Sequence, residues 1–182
     1  MKYQIDDTLS YEEWKLLVRK DIDWDTYLKG EHWRWQIDVD GRKANIYDSG
    51  HGASHCSYGF IQEVLERLDF SNLGDEDYLE NTVTFPYYIG YCECVETDDS
   101  DDIVFLTREN RLGPTRFVKN REASLCNTVF VILRRKGTDL YQLVTAYVGV
   151  KSGREPWDRC ATEEDKAFWQ THALILPSDY EI

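Results

Sequence analysis

The 182-residue sequence has no run of about 18 apolar residues, and its N-terminus has no apolar segment behind a basic one. The first absence argues against a membrane-spanning helix, and the second argues against a secretory signal peptide. Cysteine is sparse: the chain has five, an odd number, and most of them lie in apolar or strand-like segments. This pattern fits a reducing compartment. We therefore expect a cytoplasmic protein with no membrane partner.

Basic residues are scarce relative to acidic ones, with 21 Lys and Arg against 34 Asp and Glu and a formal charge of −13. Such a charge ordinarily argues against nucleic-acid partners, because phosphate binding is largely electrostatic. The charge is unevenly distributed, however, at −15 over residues 1–104, +7 over 105–154 and −5 over 155–182. A local phosphate site in the basic block therefore stays open.

Common catalytic motifs are also missing. The sequence has no serine nucleophile elbow, Walker loop, G-x-G-x-x-G or H-E-x-x-H, which removes the usual hydrolase, nucleotide-binding and zinc-protease functions. Zinc-type side chains do occur, but there is no C-x-x-C, and the C-x-C of a strand aims both thiols at one face. The zinc-type residues are His51, His55, Cys56, Cys92 and Cys94. Because their spacing does not match a common zinc site, we predict no metal, and we also predict no cofactor.

The residues that are present predict a folded α+β protein. Hydrophobic residues at 42% and aromatics at 14% exceed what a disordered acidic tail contains. Ser10 precedes Glu13 at a capping-box spacing, which predicts an N-terminal helix ending near Lys29. An Asp-Gly turn then predicts a hairpin over residues 32–47.

The strongest amphipathic helix is YGFIQEVLERLDF, and strands are predicted in TVTFPYYIGYCECVE, IVFL, NTVFVILRR and LYQLVTAYVGV. A Thr-capped helix and a final apolar strand end the chain. The predicted architecture is α+β, with N-terminal helices packed on a C-terminal antiparallel β-sheet. We expect residues 1–49 to form an extension and 50–182 an α+β domain, or both to form one continuous domain.

Two histidines, His51 and His55, lie in the glycine-containing segment SGHGASHCSYGF, next to the start of the strong helix. A histidine that titrates near neutral pH serves as a general acid or base, and the neighbouring glycines leave the backbone free to shape a site. The structural alternative is a partly exposed histidine at a helix N-terminus. The sequence alone does not decide between these two histidines.

The strand LYQLVTAYVG places hydroxyl groups near the basic block. Strict alternation puts Tyr141, Leu143, Thr145 and Tyr147 on one face, so Thr145 and Tyr147 point the same way. Two hydroxyls beside cationic loops form a donor set for a phosphate or an oxyanion. The alternative is that Thr and Tyr occur here because they favour strands.

Arginines and lysines of the basic block are candidates for holding a phosphate, because guanidinium groups offer paired donors to phosphate oxygens. The alternative is that these cations pair with the acidic part of the chain. We predict a phosphate clamp by Arg116 and Lys119 and substrate binding by Arg111, Arg121 and Arg134.

The runs TRFVKNRE, NTVFVILRRKG, YQLVTAYVG, EPWD and FWQTHALIL resemble a bacterial domain similar to metal-independent ribonuclease toxins. These belong to the barnase, EndoU, colicin and RelE-like superfamily or to the ribonuclease A-like effectors of contact-dependent inhibition. The resemblance covers residues 105–176 well and 50–70 loosely. It implies RNA cleavage by a helix histidine, a basic group and a Thr-x-Tyr strand pair, which map to His51 or His55, to Arg116, Lys119 or Arg121, and to Thr145 with Tyr147.

Two functions are therefore expected from the sequence. The first is a metal-independent endoribonuclease, with RNA as its partner and general acid/base chemistry by one histidine. The alternative is a non-enzymatic acidic protein of the interaction or immunity type, which binds a basic protein, or an inactive relative of the nuclease fold. The strongly acidic N-terminal part is the feature that supports this alternative.

Overall fold

The computed structural model describes residues 4–5, 8–18, 34–39, 41–48, 50, 52, 55–56, 58–70, 77–109 and 111–177. The chain divides into two compact units that alternate along the sequence. Unit 1 comprises Met1–Gly90 and Leu125–Val150, and unit 2 comprises Tyr91–Ser124 and Lys151–Ile182. Two short strands, β4 (Gly90–Cys92) and β8 (Ser124–Cys126), each contain a point at which the chain passes from one unit to the other.

Unit 1 begins with helix α1 (Tyr11–Val18). Its predicted capping box is confirmed, because the Glu13 carboxylate accepts from the Ser10 amide at 2.9 Å and the Glu13 amide donates to the Ser10 hydroxyl at 3.3 Å. Trp14 is buried, whereas Leu17 is 45% exposed. The continuation to Lys29 predicted from the sequence lies outside the described residues.

Unit 1 also contains a five-stranded sheet. Its order is β1-β2-β10-β9-β3, with β1 (Arg34–Val39), β2 (Arg42–Asp48), β3 (Tyr78–Thr84), β9 (Thr128–Gly137) and β10 (Leu140–Val148). The β1–β2 hairpin is the one that the Asp-Gly turn predicts, with Gly41 at φ +79°, and β9 and β10 form a second antiparallel hairpin. The β2–β10 pair is parallel, so the sheet is mixed rather than antiparallel throughout.

The core of unit 1 lies on one face of this sheet. Helix α2 (Tyr58–Leu65) contributes Phe60, Ile61 and Val64, which agrees with the apolar face predicted from its helical periodicity. Alternate residues of the strands complete the core, because side chains of a strand point to opposite faces in turn. These strand residues are Trp35, Ile37, Ala44, Ile46, Leu79, Val83, Val129, Val131, Leu133, Tyr141, Leu143 and Ala146.

Unit 2 contains a four-stranded sheet in the order β5-β11-β7-β6. The strands are β5 (Cys94–Glu96), β6 (Ile103–Thr107), β7 (Pro114–Val118) and β11 (His172–Ile175), and β7 and β11 run parallel. Helix α3 (Glu163–Thr171) precedes β11 and begins with the predicted Thr162 cap, whose side chain accepts from the Asp165 amide. Val118, Ala173 and Ile175 form a small buried cluster.

The α+β class predicted from the sequence is confirmed, and its finer arrangement is confirmed in part. The first two predicted helices occur in part within the described residues, but a third helix is C-terminal, and the five-stranded and four-stranded sheets each include a parallel pair. The predicted extension over residues 1–49 contributes β1 and β2 to the same sheet as β9 and β10. A boundary near residue 50 stays a prediction.

Candidate functional site

The site begins at a register shift in β10. Leu143 pairs with Leu133, and Thr145 pairs with Ile132, so Val144 has no partner on β9. An extra residue of this kind is a β-bulge, and it reverses the side-chain alternation beyond it. The prediction that Tyr141, Leu143, Thr145 and Tyr147 share one face is therefore wrong in one respect. Leu143 points to the core, whereas Thr145 and Tyr147 lie on the opposite face. Ala146, between them, is buried in the core.

The loop after β2 is attached to this bulge. Asp48 is 1% exposed, and its Oδ1 accepts from the amides of Gly50 at 3.1 Å and Gly52 at 2.8 Å. The Gly52 carbonyl in turn accepts from the Ala146 amide at 2.9 Å. A Cβ on Gly52 would lie 2.5 Å from the Leu143 carbonyl oxygen, so only glycine permits this approach.

The histidine segment follows directly. His55 is exposed, and its ring lies edge-on to that of Tyr147, with 6.5 Å between centroids and 80° between planes. Tyr147 is half-buried and also packs against Phe130 at 5.5 Å. One predicted histidine and one predicted hydroxyl side chain are therefore neighbours. His51, the other candidate, lies outside the described residues.

A cation lies on the same face of the sheet. Phe130, Ile132 and Arg134 alternate with the core residues of β9, so Arg134 shares the face of Thr145 and Tyr147. Its guanidinium lies over the Tyr78 ring, 5.5 Å from the centroid, and its side chain is exposed. Arg134 is thus the predicted substrate-binding residue that belongs to unit 1.

The other predicted cations belong to unit 2, and Arg116 is bound within it. One guanidinium nitrogen, Nη1, donates to the Thr97 hydroxyl at 2.8 Å and to the His172 carbonyl at 2.9 Å. The His172 ring stacks on Phe168 with 3.9 Å between centroids, and its Nδ1 lies 3.1 Å from the Phe168 carbonyl. Arg116 therefore links β7 to the residue after β5 and to the first residue of β11 within unit 2.

Lys119 and Arg121 pair with the acidic loop at residues 97–102. The Lys119 ammonium lies 3.5 Å from Asp102, and Arg121 donates to Asp101 at 2.6 Å and to Asp98 at 2.8 Å. The hydrogen bond from Arg121 lowers the pKa of Asp101. The predicted alternative, in which these cations pair with acidic residues, describes both side chains.

Arg111 lies beside a cluster that the sequence did not single out. Its guanidinium is 5.6 Å from the Trp157 ring centroid. Glu155, whose side chain is 14% exposed, accepts from the Trp157 indole at 2.9 Å, from Arg108 and from the buried Thr115 hydroxyl. The three donors come from three segments of unit 2, so the described contacts of this carboxylate are structural ones that hold those segments together. We call Glu155 and its donors a structural lock.

The zinc-type residues are not assembled in the described part of the chain. Among those residues, no three His, Cys, Asp or Glu side chains lie close enough together to hold a metal ion. Cys56 is 1% exposed within the core, where burial raises the pKa of its thiol to about 12. A neutral buried thiol is a poor metal ligand, because metals bind the thiolate.

The described residues thus bring His55, Thr145, Tyr147 and Arg134 to one unit and leave Arg111, Arg116, Lys119 and Arg121 in the other. Asp48 and Gly52 were missed by the sequence analysis. Their signal is an Asp two and four residues before glycines at a strand end, a pattern typical of side chains that bind their own backbone.

No protein-family model, curated protein or solved structure matches the chain. No helix in the described part of the chain has both the length and the apolar character needed to cross a membrane.

Proposed function

We propose that this protein is a metal-independent endoribonuclease whose general acid/base chemistry is carried out beside the bulge of β10. The observation that supports it is the contact between the rings of His55 and Tyr147, with Thr145 on the same face of the sheet. A titratable imidazole and two hydroxyls are the groups that such cleavage uses. Kinship to the metal-independent ribonuclease toxins and a cytoplasmic setting are parts of the same proposal.

In the proposed reaction, a general base removes the proton of an RNA 2′-hydroxyl, and the oxygen attacks the adjacent phosphorus. The bond from phosphorus to the 5′-oxygen breaks, and a general acid gives that oxygen a proton. The products are a 2′,3′-cyclic phosphate and a 5′-hydroxyl end. RNA supplies its own nucleophile, so the reaction needs no metal-activated water.

We assign one of the two proton transfers to His55, because its exposed ring is open to substrate from solvent. The hydroxyls of Tyr147 and Thr145 donate to the phosphorane oxygens as negative charge develops there. Arg134, on the same face, holds a neighbouring phosphate of the RNA strand. In this proposal Arg116, Lys119 and Arg121 keep the structural partners described above.

A second candidate function is the non-enzymatic acidic interaction protein. It is favoured by the pairing of Lys119 and Arg121 with the acidic loop, which occupies cations predicted to bind phosphate. In that case the acidic surface binds a basic protein, and His55 and Tyr147 are only packing partners. The two candidates differ in one simple respect, which is turnover of RNA.

The test is incubation of the purified protein with total tRNA in EDTA, followed by gel analysis. We expect cleavage by the wild type and a loss of about 100-fold in the His55→Ala variant. His32→Gln is the matched control, because the sequence assigns no role to His32, and it should cleave like the wild type. Absence of cleavage at micromolar protein would favour the second candidate, and equal cleavage by His55→Ala and wild type would remove His55 from the mechanism.

A further inference from the structure

We infer that Asp48 is a positioning residue, which sets the location of His55 against Tyr147 by fixing the loop between them to β10. This inference rests on the proposed function in so far as it concerns catalysis. Its structural part concerns only the distance between the two rings. Asp48 itself is 1% exposed and ends β2, where it pairs with Leu143 across the parallel ladder.

The buried carboxylate shapes the turn directly. Its Oδ1 accepts from the amides of Gly50 and Gly52, so one carboxylate oxygen holds two amides of the turn. A hydrogen-bond acceptor at this position stabilises the fold more than one at the surface, because a buried amide that loses its acceptor keeps its full desolvation cost. Gly52 is buried as well, so the turn is held between Asp48 and the strand.

The second step joins this turn to the strand that carries the hydroxyls. The Gly52 carbonyl accepts from the Ala146 amide at 2.9 Å, and Ala146 stands between Thr145 and Tyr147. The bulge at Val144 brings this amide into position, since it reverses the alternation just before Ala146. A hydrogen-bonded path therefore runs from the Asp48 carboxylate through Gly52 to the centre of the Thr-x-Tyr pair.

The third step reaches the histidine. His55 lies three residues beyond Gly52, so a shift of the Gly52 anchor is passed to His55 through a very short stretch of backbone. Displacements of about 1 Å in a catalytic group can lower turnover about 100-fold. Asp48 has no direct part in the proposed reaction, and we expect its effect to be transmitted through the position of His55 against Tyr147.

The test compares Asp48→Ala and the near-isosteric Asp48→Val with Asp48→Asn, which keeps an oxygen acceptor. Asp38→Ala is the matched control, because the Asp38 Oδ1 also accepts from a glycine amide, that of Gly41 at 2.9 Å in the β1–β2 turn. Nuclear Overhauser contacts between the His55 and Tyr147 ring protons should disappear in the first two variants and persist in Asp48→Asn and Asp38→Ala. With RNA as substrate, we expect the kcat of Asp48→Ala and Asp48→Val to fall about 100-fold, while KM changes less than about threefold.

Outcomes separate the inference from the proposed function. If the wild type cleaves no RNA, but Asp48→Ala and Asp48→Val lose the ring contacts, the positioning role is supported and the nuclease proposal is rejected. Normal cleavage and intact ring contacts in Asp48→Ala or Asp48→Val would overturn the inference while leaving the nuclease in place. If neither variant folds, loss of the ring contacts in Asp48→Asn, despite its remaining acceptor, would also overturn it.

Discussion

The ring of His55 lies edge-on to the ring of Tyr147, at 6.5 Å between centroids, across a loop and a strand that are 92 residues apart in sequence. This contact depends on the β10 bulge, which turns Tyr147 away from the core. It also depends on the glycine loop, which brings His55 to the same strand. The relationship between these two residues gives the nuclease proposal its chemical content.

Removal of one hydroxyl tests that content. We expect Tyr147→Phe to keep the ring contact with His55 but to lower kcat on RNA about 100-fold, because it removes a donor to the phosphorane. KM should change little, since the hydroxyl acts mainly in the transition state.

The matched control for this change is Tyr88→Phe, because Tyr88 belongs to the same unit and is 49% exposed. Steady-state kinetics of the two variants decide the matter. Equal losses in both variants, or no loss in Tyr147→Phe, would show that the Tyr147 hydroxyl has no part in turnover.

Salt dependence tests the role of Arg134. If its guanidinium holds one RNA phosphate, Arg134→Gln should weaken binding of single-stranded RNA and reduce the slope of log K against log salt by about 0.7. Lys166→Gln is the control, because the Lys166 ammonium is already paired with Glu163 at 2.7 Å. Fluorescence anisotropy over a salt series measures both slopes, and an unchanged slope in Arg134→Gln would exclude the phosphate contact.

The Glu155 cluster predicts a large loss of stability in unit 2. Glu155→Ala removes the carboxylate that accepts from Arg108 Nη2 and from the buried Thr115 hydroxyl, which we expect to cost about 3 kcal/mol of unfolding free energy. Glu163→Ala removes an exposed pair with Lys166 and should cost less than about 0.5 kcal/mol. Urea denaturation followed by Trp fluorescence compares them, and similar midpoints would contradict the assignment of a structural lock.

The acidic loop predicts a pH dependence with a definite sign. Arg121 lowers the pKa of Asp101 in the folded state through its hydrogen bond to that carboxylate. A lowered folded pKa contributes stability above the unfolded value of about 3.9 and loses it as pH falls through the folded pKa. In Arg121→Gln the pKa of Asp101 should rise, and the stability lost on acidification should be smaller.

Carbon-detected NMR titration of the Asp side chains measures this change directly. Lys119→Gln is the control, because the 3.5 Å pair of Lys119 involves Asp102 and not Asp101. We expect the Asp101 titration in Lys119→Gln to match that of the wild type. An Asp101 pKa that stays equally low in Arg121→Gln would assign its depression to the backbone of the loop instead.

Features with local signals were predictable from the sequence. The capping box at Ser10 and the Thr162 cap each depend on residues a few positions apart, and the hairpin at Gly41 depends on a glycine that adopts φ +79°. The apolar face of α2 follows from helical periodicity. Each of these signals lies within one short segment, so no knowledge of the remaining chain was needed.

Features set by distant partners were not predictable. No local pattern marks the extra residue at Val144, so strict alternation assigned Leu143 and Thr145 to the same face. The partners of Arg116 are Thr97 and the His172 carbonyl, which are brought together only by the sheet of unit 2. The parallel pairing of β2 with β10 is likewise a tertiary feature, because nearly 100 residues separate the strands.

The most direct measurement uses an oligonucleotide with one ribonucleotide in a deoxyribonucleotide strand, incubated with the protein in EDTA and analysed by mass spectrometry. The proposed mechanism predicts a single cut after that ribonucleotide, with a 2′,3′-cyclic phosphate and a 5′-hydroxyl end, and strong loss of the cut with His55→Ala. No cut at micromolar protein, or equal cutting of the all-deoxy strand, which lacks the 2′-hydroxyl nucleophile, would contradict the mechanism.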